Sequence, residues 1–184
     1  ETRKSKWLVR CLLVISKTPK TPNTPNSPNT SNTPVPNQVK KMDKFMNCAI
    51  AEAKLGLKEG GIPIGSVLVK DGKIISQGHN KRVQNGDPIT HAEIDCLRNA
   101  GRIGSYKNTI LYSTLMPCYL CAGAVVQFKI KKVIVGESKT FSGAREFMES
   151  HGVEVIDLDL AECKQLMKDF IAKNPLLWNE DIGE

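Results

Sequence analysis

The sequence predicts an α/β fold built on a mixed five-stranded sheet with helices on both faces. Two observations carry the prediction. Apolar stretches at helical spacing alternate with short β-rich runs in the order α-β-β-α-β-α-β-α-β-α, and an Asp71-Gly72 pair divides the first two runs.

Phe45, Met46, Ala49, Ile50, Ala53 and Leu57 share one face of a first helix, which Gly60 and Gly61 stop. Residues 64–69 and 73–76 then read as strands joined antiparallel through the Asp-Gly turn, and residues 78–89 as a loop rich in Gly, Asn and charge. Thr90 is placed to cap a helix reaching about Ala100. A strand at 109–114 follows. Pro117 suits the opening turn of a helix at 118–128. The remainder reads as a strand at 133–135, a helix at 144–150, a strand at 153–156 and a helix at 160–172.

The formal net charge of +7 is unevenly placed. Residues 1–41 hold eight Lys or Arg against Glu1, whereas residues 42–184 hold 18 charges of each sign. A neutral body argues against a phosphate-tracking surface and favours a small neutral substrate, so no nucleic acid is expected on the folded domain. Residues 1–41 are expected to be a disordered basic extension, low in complexity and of non-native or processed character, with Met42 a candidate natural start. Residues 42–184 form the expected catalytic domain. The apolar stretch at 7–15 is interrupted by Arg10 and is far shorter than the ~20 residues of a bilayer span, so no membrane anchor is expected. Six scattered cysteines in a chain of this size read as reduced thiols. The expected location is the cytoplasm, extending to the nucleus.

Two constellations carry chemistry, His91-Ala92-Glu93 and Pro117-Cys118-Tyr119-Leu120-Cys121, each at a predicted helix start. Residues at i and i+2 diverge around a helix, so His91 and Glu93 converge only on a point beyond its N-terminus. Cys118 and Cys121 share a face, and the positive end of their helix favours thiolates. One imidazole and two thiolates suit Zn²⁺, and three protein ligands leave the fourth tetrahedral position open for water, as catalytic sites do. Glu93 is then a carboxylate free to move that water's protons. H-x-E followed by P-C-x-x-C is the signature of zinc nucleobase deaminases. Either half alone has plainer readings, C-x-x-C as a redox pair or half a finger, and H-x-E as chance.

Beyond these motifs, residues 42–184 resemble the fungal cytosine deaminases, in EGGIPIGSVLV, GHNKR, NAGR, LYSTLMPC, VIVGE and the terminal WNEDIGE. The resemblance implies a three-layer α/β/α cytidine-deaminase-like fold, a homodimer, one catalytic Zn²⁺ per subunit, and hydrolysis of free cytosine to uracil and ammonia in pyrimidine salvage. It makes His91, Cys118 and Cys121 the metal ligands and Glu93 the proton shuttle. It further implies that Asn80 binds the pyrimidine edge, that Phe141 packs on the base, and that Trp178 and Asp181 close over the pocket. Asp181 then receives the substrate's amino group. Ile64 and Leu115 supply apolar wall, and the backbone N–H groups of Ala92 and Cys118 contact polar groups of the base. Asn80 as a turn residue, Phe141 as core, and Trp178 with Asp181 as a solvated tail are the plainer alternatives. Met116 replaces a usual Ser, Ala92 a usual Gly, and the first hairpin is shorter than in the family. Cys48, Cys96 and Cys163 read as small hydrophobes, His79 as packing or capping its loop, and His151 as a surface turn residue.

Two other functions compete. A sister deaminase of tRNA adenosine, guanine or cytidine shares the motifs; the neutral body weighs against tRNA, and the closing Trp178 and Asp181 against a bulky ribose. A non-catalytic zinc-stabilised module predicts a fourth protein ligand and a dispensable Glu93.

Overall fold

The computed structural model describes residues 43–184; the basic extension and Met42 lie outside them. The elements are α1 (Lys44–Lys58), β1 (Gly65–Lys70), β2 (Lys73–His79), α2 (Arg82–Asn85), α3 (Ala92–Ala100), β3 (Thr109–Ser113), α4 (Tyr119–Gln127), β4 (Lys132–Val135), α5 (Arg145–Ser150), β5 (Glu154–Asp157), α6 (Ala161–Lys173) and α7 (Pro175–Ile182). The five strands form one sheet in the order β2-β1-β3-β4-β5. β1 is antiparallel to β2 and β3, while β3, β4 and β5 run parallel. The sheet is therefore mixed, as expected.

The strand period of two sorts the core into two faces. Leu68, Leu111, Val133 and Val135 pack with Cys96 and Leu97 of α3, Ala122 and Val125 of α4 and Met148 of α5. Val67, Val69, Tyr112 and Ile134 pack on the opposite side with Met46, Ala49 and Ile50 of α1 and Cys163 beyond. Helices on both faces make three layers.

The Asp71-Gly72 turn forms as predicted, with φ of 49° and 70° at its two central residues, which matches the twist of a tight hairpin. Two expectations about the elements change. Residues 78 and 79 continue β2 rather than opening a loop, and the loop itself contains the short helix α2. Thr90 does not cap α3: its hydroxyl donates to Asp87 Oδ2, and His91 is the N-cap. The C-terminal residues, legible as neither helix nor strand, form α7, with Pro175 in its first turn. Cys96, Cys118, Cys121 and Cys163 are free thiols, whereas Cys48 is disulfide-bonded, against the expectation of reduced thiols throughout.

Because β1 and β3 are antiparallel, the end of β3 lies beside the start of β1. Thr114 N–H donates to Gly65 O at 3.0 Å, and Gly65 N–H donates to Thr114 Oγ1 at 3.0 Å. This pairing sets Ile64 and Leu115 next to one another in a third apolar cluster with Ala92, Met167, Phe170 and Trp178. The site is built at this end of the sheet.

Candidate active site

His91 and Cys118 occupy the same structural position in two helices. Each is an N-cap with extended backbone, ψ 166° and 173°, so each side chain projects ahead of a helix rather than along its flank. Cys118 Sγ lies 3.4 Å from His91 Nδ1. The ligand atoms of His91, Cys118 and Cys121 all lie within 4.8 Å of one another, and among the described residues no other His, Cys, Asp or Glu joins the group. One imidazole nitrogen and two sulfurs at this spacing fit Zn²⁺, and three donors leave a position open. A hydrogen bond from the Cys121 thiol, with another from His91, draws Cys118 down to about 4, and the same bond and burial push Cys121 well above a free thiol. At His91 burial pulls the imidazole down, but Cys118 and Asp181 outweigh it and raise it.

Glu93 sits in the first turn of α3 and is buried. Its Oε1 accepts from Ser113 Oγ at 2.7 Å. Burial raises its carboxyl above the ordinary range, against the stabilising Ser113 bond.

A cavity opens directly over these groups. Ile64, His91, Glu93, Leu115, Met116, Cys118, Phe141, Trp178, Asp181 and Ile182 line it. Phe141 and Trp178 meet edge to face, ring centroids 6.1 Å apart. Gly143, at φ 57°, brings the loop carrying Phe141 against the Pro117-Cys118 segment, and a Cβ there would stand 2.5 Å from Pro117 O. Asn80 is fully buried behind the wall: its Nδ2 donates to Asp181 Oδ1 at 3.0 Å, and its Oδ1 accepts from Arg82 N–H at 3.0 Å. Ala92 is also buried, and as the first residue of α3 its N–H has no acceptor within the helix. All eleven residues singled out from the sequence thus gather at one end of the sheet, nine on the cavity or its ligand cluster and two immediately behind.

The structure brings in residues to which the sequence assigned no role. Ser113 anchors Glu93; nothing but its place at the end of β3 distinguishes it. Ile182 lines the cavity from α7. Met116 contributes both its side chain to the lining and its N–H to Glu137 O. Arg82 reaches Asp181 Oδ1 at 2.8 Å across 99 residues of sequence, a pairing no local pattern signals. His79 packs rather than caps: it is buried at the end of β2 between Glu52 and Glu59, at 2.9 Å from each.

Comparison with known proteins decides what family carries this geometry. The family model for the cytidine and deoxycytidylate deaminase zinc-binding region matches residues 39–137, more than half the chain. The chain belongs to this deaminase family. It is 43% identical to the cytosine deaminase of Candida albicans over 144 residues, covering 77% of this chain and 96% of that protein. It is 38% identical to the tRNA-specific adenosine deaminase of Haemophilus influenzae over 144 residues, covering 71% and 83%. Among solved structures, one from a study of A-to-I editing by tRNA:A34 deaminases superposes with a TM-score of 0.61 at 30% identity, covering 66% of this chain and 97% of that one. The guanine deaminase of Nitrosomonas europaea, TM-score 0.61 at 18% identity over 70% and 84%, shares the fold. The deaminase is thus a zinc enzyme of the cytidine-deaminase-like fold, with His91, Cys118 and Cys121 positioned to hold the ion. Among the described residues no helix is long and apolar enough to cross a membrane.

Proposed function

We propose that the deaminase hydrolyses free cytosine to uracil and ammonia. The observation that carries the reading is the cavity over the ligand cluster, walled on one side by Trp178, Asp181 and Ile182 of α7 and lined by both apolar and polar side chains. In this reading a pyrimidine ring lies against Phe141 and Trp178, and a ribose or a tRNA loop would have to displace α7. The 43% identity to a cytosine deaminase over nearly that protein's full length supports the same choice.

A bound Zn²⁺ supplies a Lewis acid that makes water reactive near neutral pH. Glu93 does the proton work. Its buried carboxylate takes a proton from water as the water oxygen bonds to ring C4, and delivers it to N3, where charge develops. Glu93 then takes the proton of the hydroxyl now on C4 and passes it to the departing amino group; the C4–N bond breaks, ammonia leaves, and the ring carbonyl of uracil is formed. Ser113 keeps Glu93 aimed at the reacting centre. Asp181 accepts from the substrate amino group, Asn80 sets Asp181 and recognises the pyrimidine edge, and the N–H groups of Ala92 and Cys118 face the ring's polar atoms. Ile64, Leu115, Phe141 and Trp178 exclude water. His91, Cys118 and Cys121 are the metal ligands.

The test follows absorbance and product on the purified chain with cytosine, cytidine, adenosine-bearing tRNA and guanine offered separately. Turnover of cytosine alone supports the reading; turnover of another substrate and not cytosine moves the enzyme to a sister activity.

We infer also that the deaminase pairs with itself. Tyr119, Leu120 and Phe128 at the two ends of α4 are 70%, 45% and 45% exposed, apolar side chains that a second copy would cover. Sedimentation at micromolar concentration should give twice the chain mass, and Phe128→Glu should lower it. Pyrimidine salvage in cytoplasm and nucleus is the role this activity fits, to be checked by growth on cytosine as sole pyrimidine source and by imaging of the tagged chain.

A further inference from the structure

α7 forms one wall of the cavity. It is eight residues long, too short to be stable by itself. Its N-cap, Asn174, makes no side-chain capping bond, and Leu176 stands 83% exposed. On its apolar side Leu177, Trp178 and Ile182 pack against the cluster that holds Met167 and Phe170, and Trp178 and Ile182 also line the cavity. Among the described residues, every side-chain hydrogen bond that reaches α7 from another element comes from Asn80 or Arg82.

Arg82 carries most of them. Nη1 donates to Asp181 Oδ1 at 2.8 Å, Nη2 to Glu180 Oε1 at 3.2 Å and to Glu180 O at 3.4 Å, and Nε to Pro88 O at 3.0 Å. The guanidinium thus ties the loop after α2 and the C-terminal helix into one unit. Its side chain is 10% exposed and that of Asp181 5%, so this is a buried pair with its geometry fixed on both sides. Asp181 Oδ1 is fully engaged, by Asn80, by Arg82 and with His91 Nε2 at 4.0 Å. Oδ2 is the oxygen left for a ligand.

We propose that Arg82 is a positioning residue for the reaction: its guanidinium straps α7 over the cavity and pins Asp181 through Oδ1, presenting Oδ2 to the amino group of the bound base. This rests on the cytosine reading above. Arg82 touches no reacting atom and lines the cavity nowhere. Its effect is on capture. A planar guanidinium can serve Asp181, Glu180 and Pro88 at once, and an ammonium at the same place cannot.

The test compares the full chain with Arg82→Gln, Arg82→Lys and Glu180→Ala in two readouts, cytosine kinetics and amide hydrogen exchange of residues 175–184. Arg82→Gln should raise KM for cytosine about tenfold or more while kcat changes by less than about threefold. Exchange in 175–184 should quicken about tenfold or more, with the strands unchanged. Arg82→Lys should recover only a small part of either effect. Glu180→Ala, which loosens only the exposed arm and keeps the buried pair, should quicken exchange with a smaller rise in KM, and it keeps the test open if Arg82→Gln does not fold. Wild-type exchange in 175–184 in the folded variants would overturn the strap. Faster exchange with an unchanged KM would overturn the positioning role. A wild-type chain inactive on cytosine would sink the proposed substrate instead, and the exchange arm would still decide the strap.

Discussion

Ser113 Oγ donates to Glu93 Oε1 at 2.7 Å, joining the last residue of β3 to the first turn of α3. The bond fixes which face of the carboxylate is free. Burial is the chief cause that raises Glu93, which suits a group that must both accept and return a proton. Glu93→Gln should therefore keep its zinc and its fold and lose turnover by about 10²–10⁴-fold, the usual size of a lost general acid–base. Ser113→Ala leaves the carboxylate in place but unaimed, and should cost about tenfold in kcat with KM nearly unchanged. Metal content and kinetics on the same preparations check both; a Glu93→Gln protein that turns over normally would refute the assignment.

Zinc removal should act on stability as well as activity. His91 and Cys118 are the caps of α3 and α4, so the ion ties two helix starts on one face of the sheet. Chelation should abolish turnover and lower the melting temperature by several degrees, and readdition of Zn²⁺ should restore both. Differential scanning calorimetry with and without chelator measures it. Cys121→Ser should reproduce the loss without chelator.

Much of this site is legible in the sequence. His-x-Glu and Pro-Cys-x-x-Cys are local patterns, and ligand geometry follows from residues one to three apart at helix starts. The strands are legible too, because period-two burial and the Asp71-Gly72 turn are local signals. What escapes depends on which partner claims a side chain, near in sequence or far. Thr90 is a good cap by type, but Asp87 claims its hydroxyl and His91 takes the cap position. α7 has no amphipathic period to reveal it; Trp178 inward and Arg82 across 99 residues hold it. His79 reads as a loop residue until α1 is laid against β2 and brings two carboxylates to it.

Gly78 marks a close approach that the site depends on. A Cβ there would stand 2.6 Å from Cys96 N and 2.7 Å from Asp95 Oδ2, so α3 lies directly against β2 with no room for a side chain. Asp95 is itself tied to Lys81 Nζ at 2.7 Å and to His79 N–H at 3.3 Å, which fixes the axial position of α3. Gly78→Ala should push α3 outward, costing about 1–3 kcal/mol of stability. Because α3 carries His91 and Glu93, it should also lower kcat. Urea unfolding beside steady-state kinetics tests this; unchanged stability would mean that α3 is free to shift.

His79 should give the fold a pH dependence of its own. Glu52 Oε2 lies 2.9 Å from Nδ1 and Glu59 Oε2 2.9 Å from Nε2, both carboxylates from the α1 end of the chain, while Lys81 and Asp95 stand on the following loop and on α3. Burial pulls the imidazole down, but the bonds and charges of Glu52 and Glu59 outweigh it, and the net effect is upward. A group raised on folding favours the native state while it is protonated in both states. The contribution is therefore complete below the unfolded value near 6.5 and is lost as pH climbs through the higher folded value. Urea midpoints measured from about pH 6 to about pH 9 should fall over this window in the native sequence. His79→Gln should be less stable at the acid end, having left Glu52 and Glu59 without their shared cation, and should lack the decline. Parallel curves for the two proteins would mean that His79 is neutral in the fold and that the two carboxylates are held by other means.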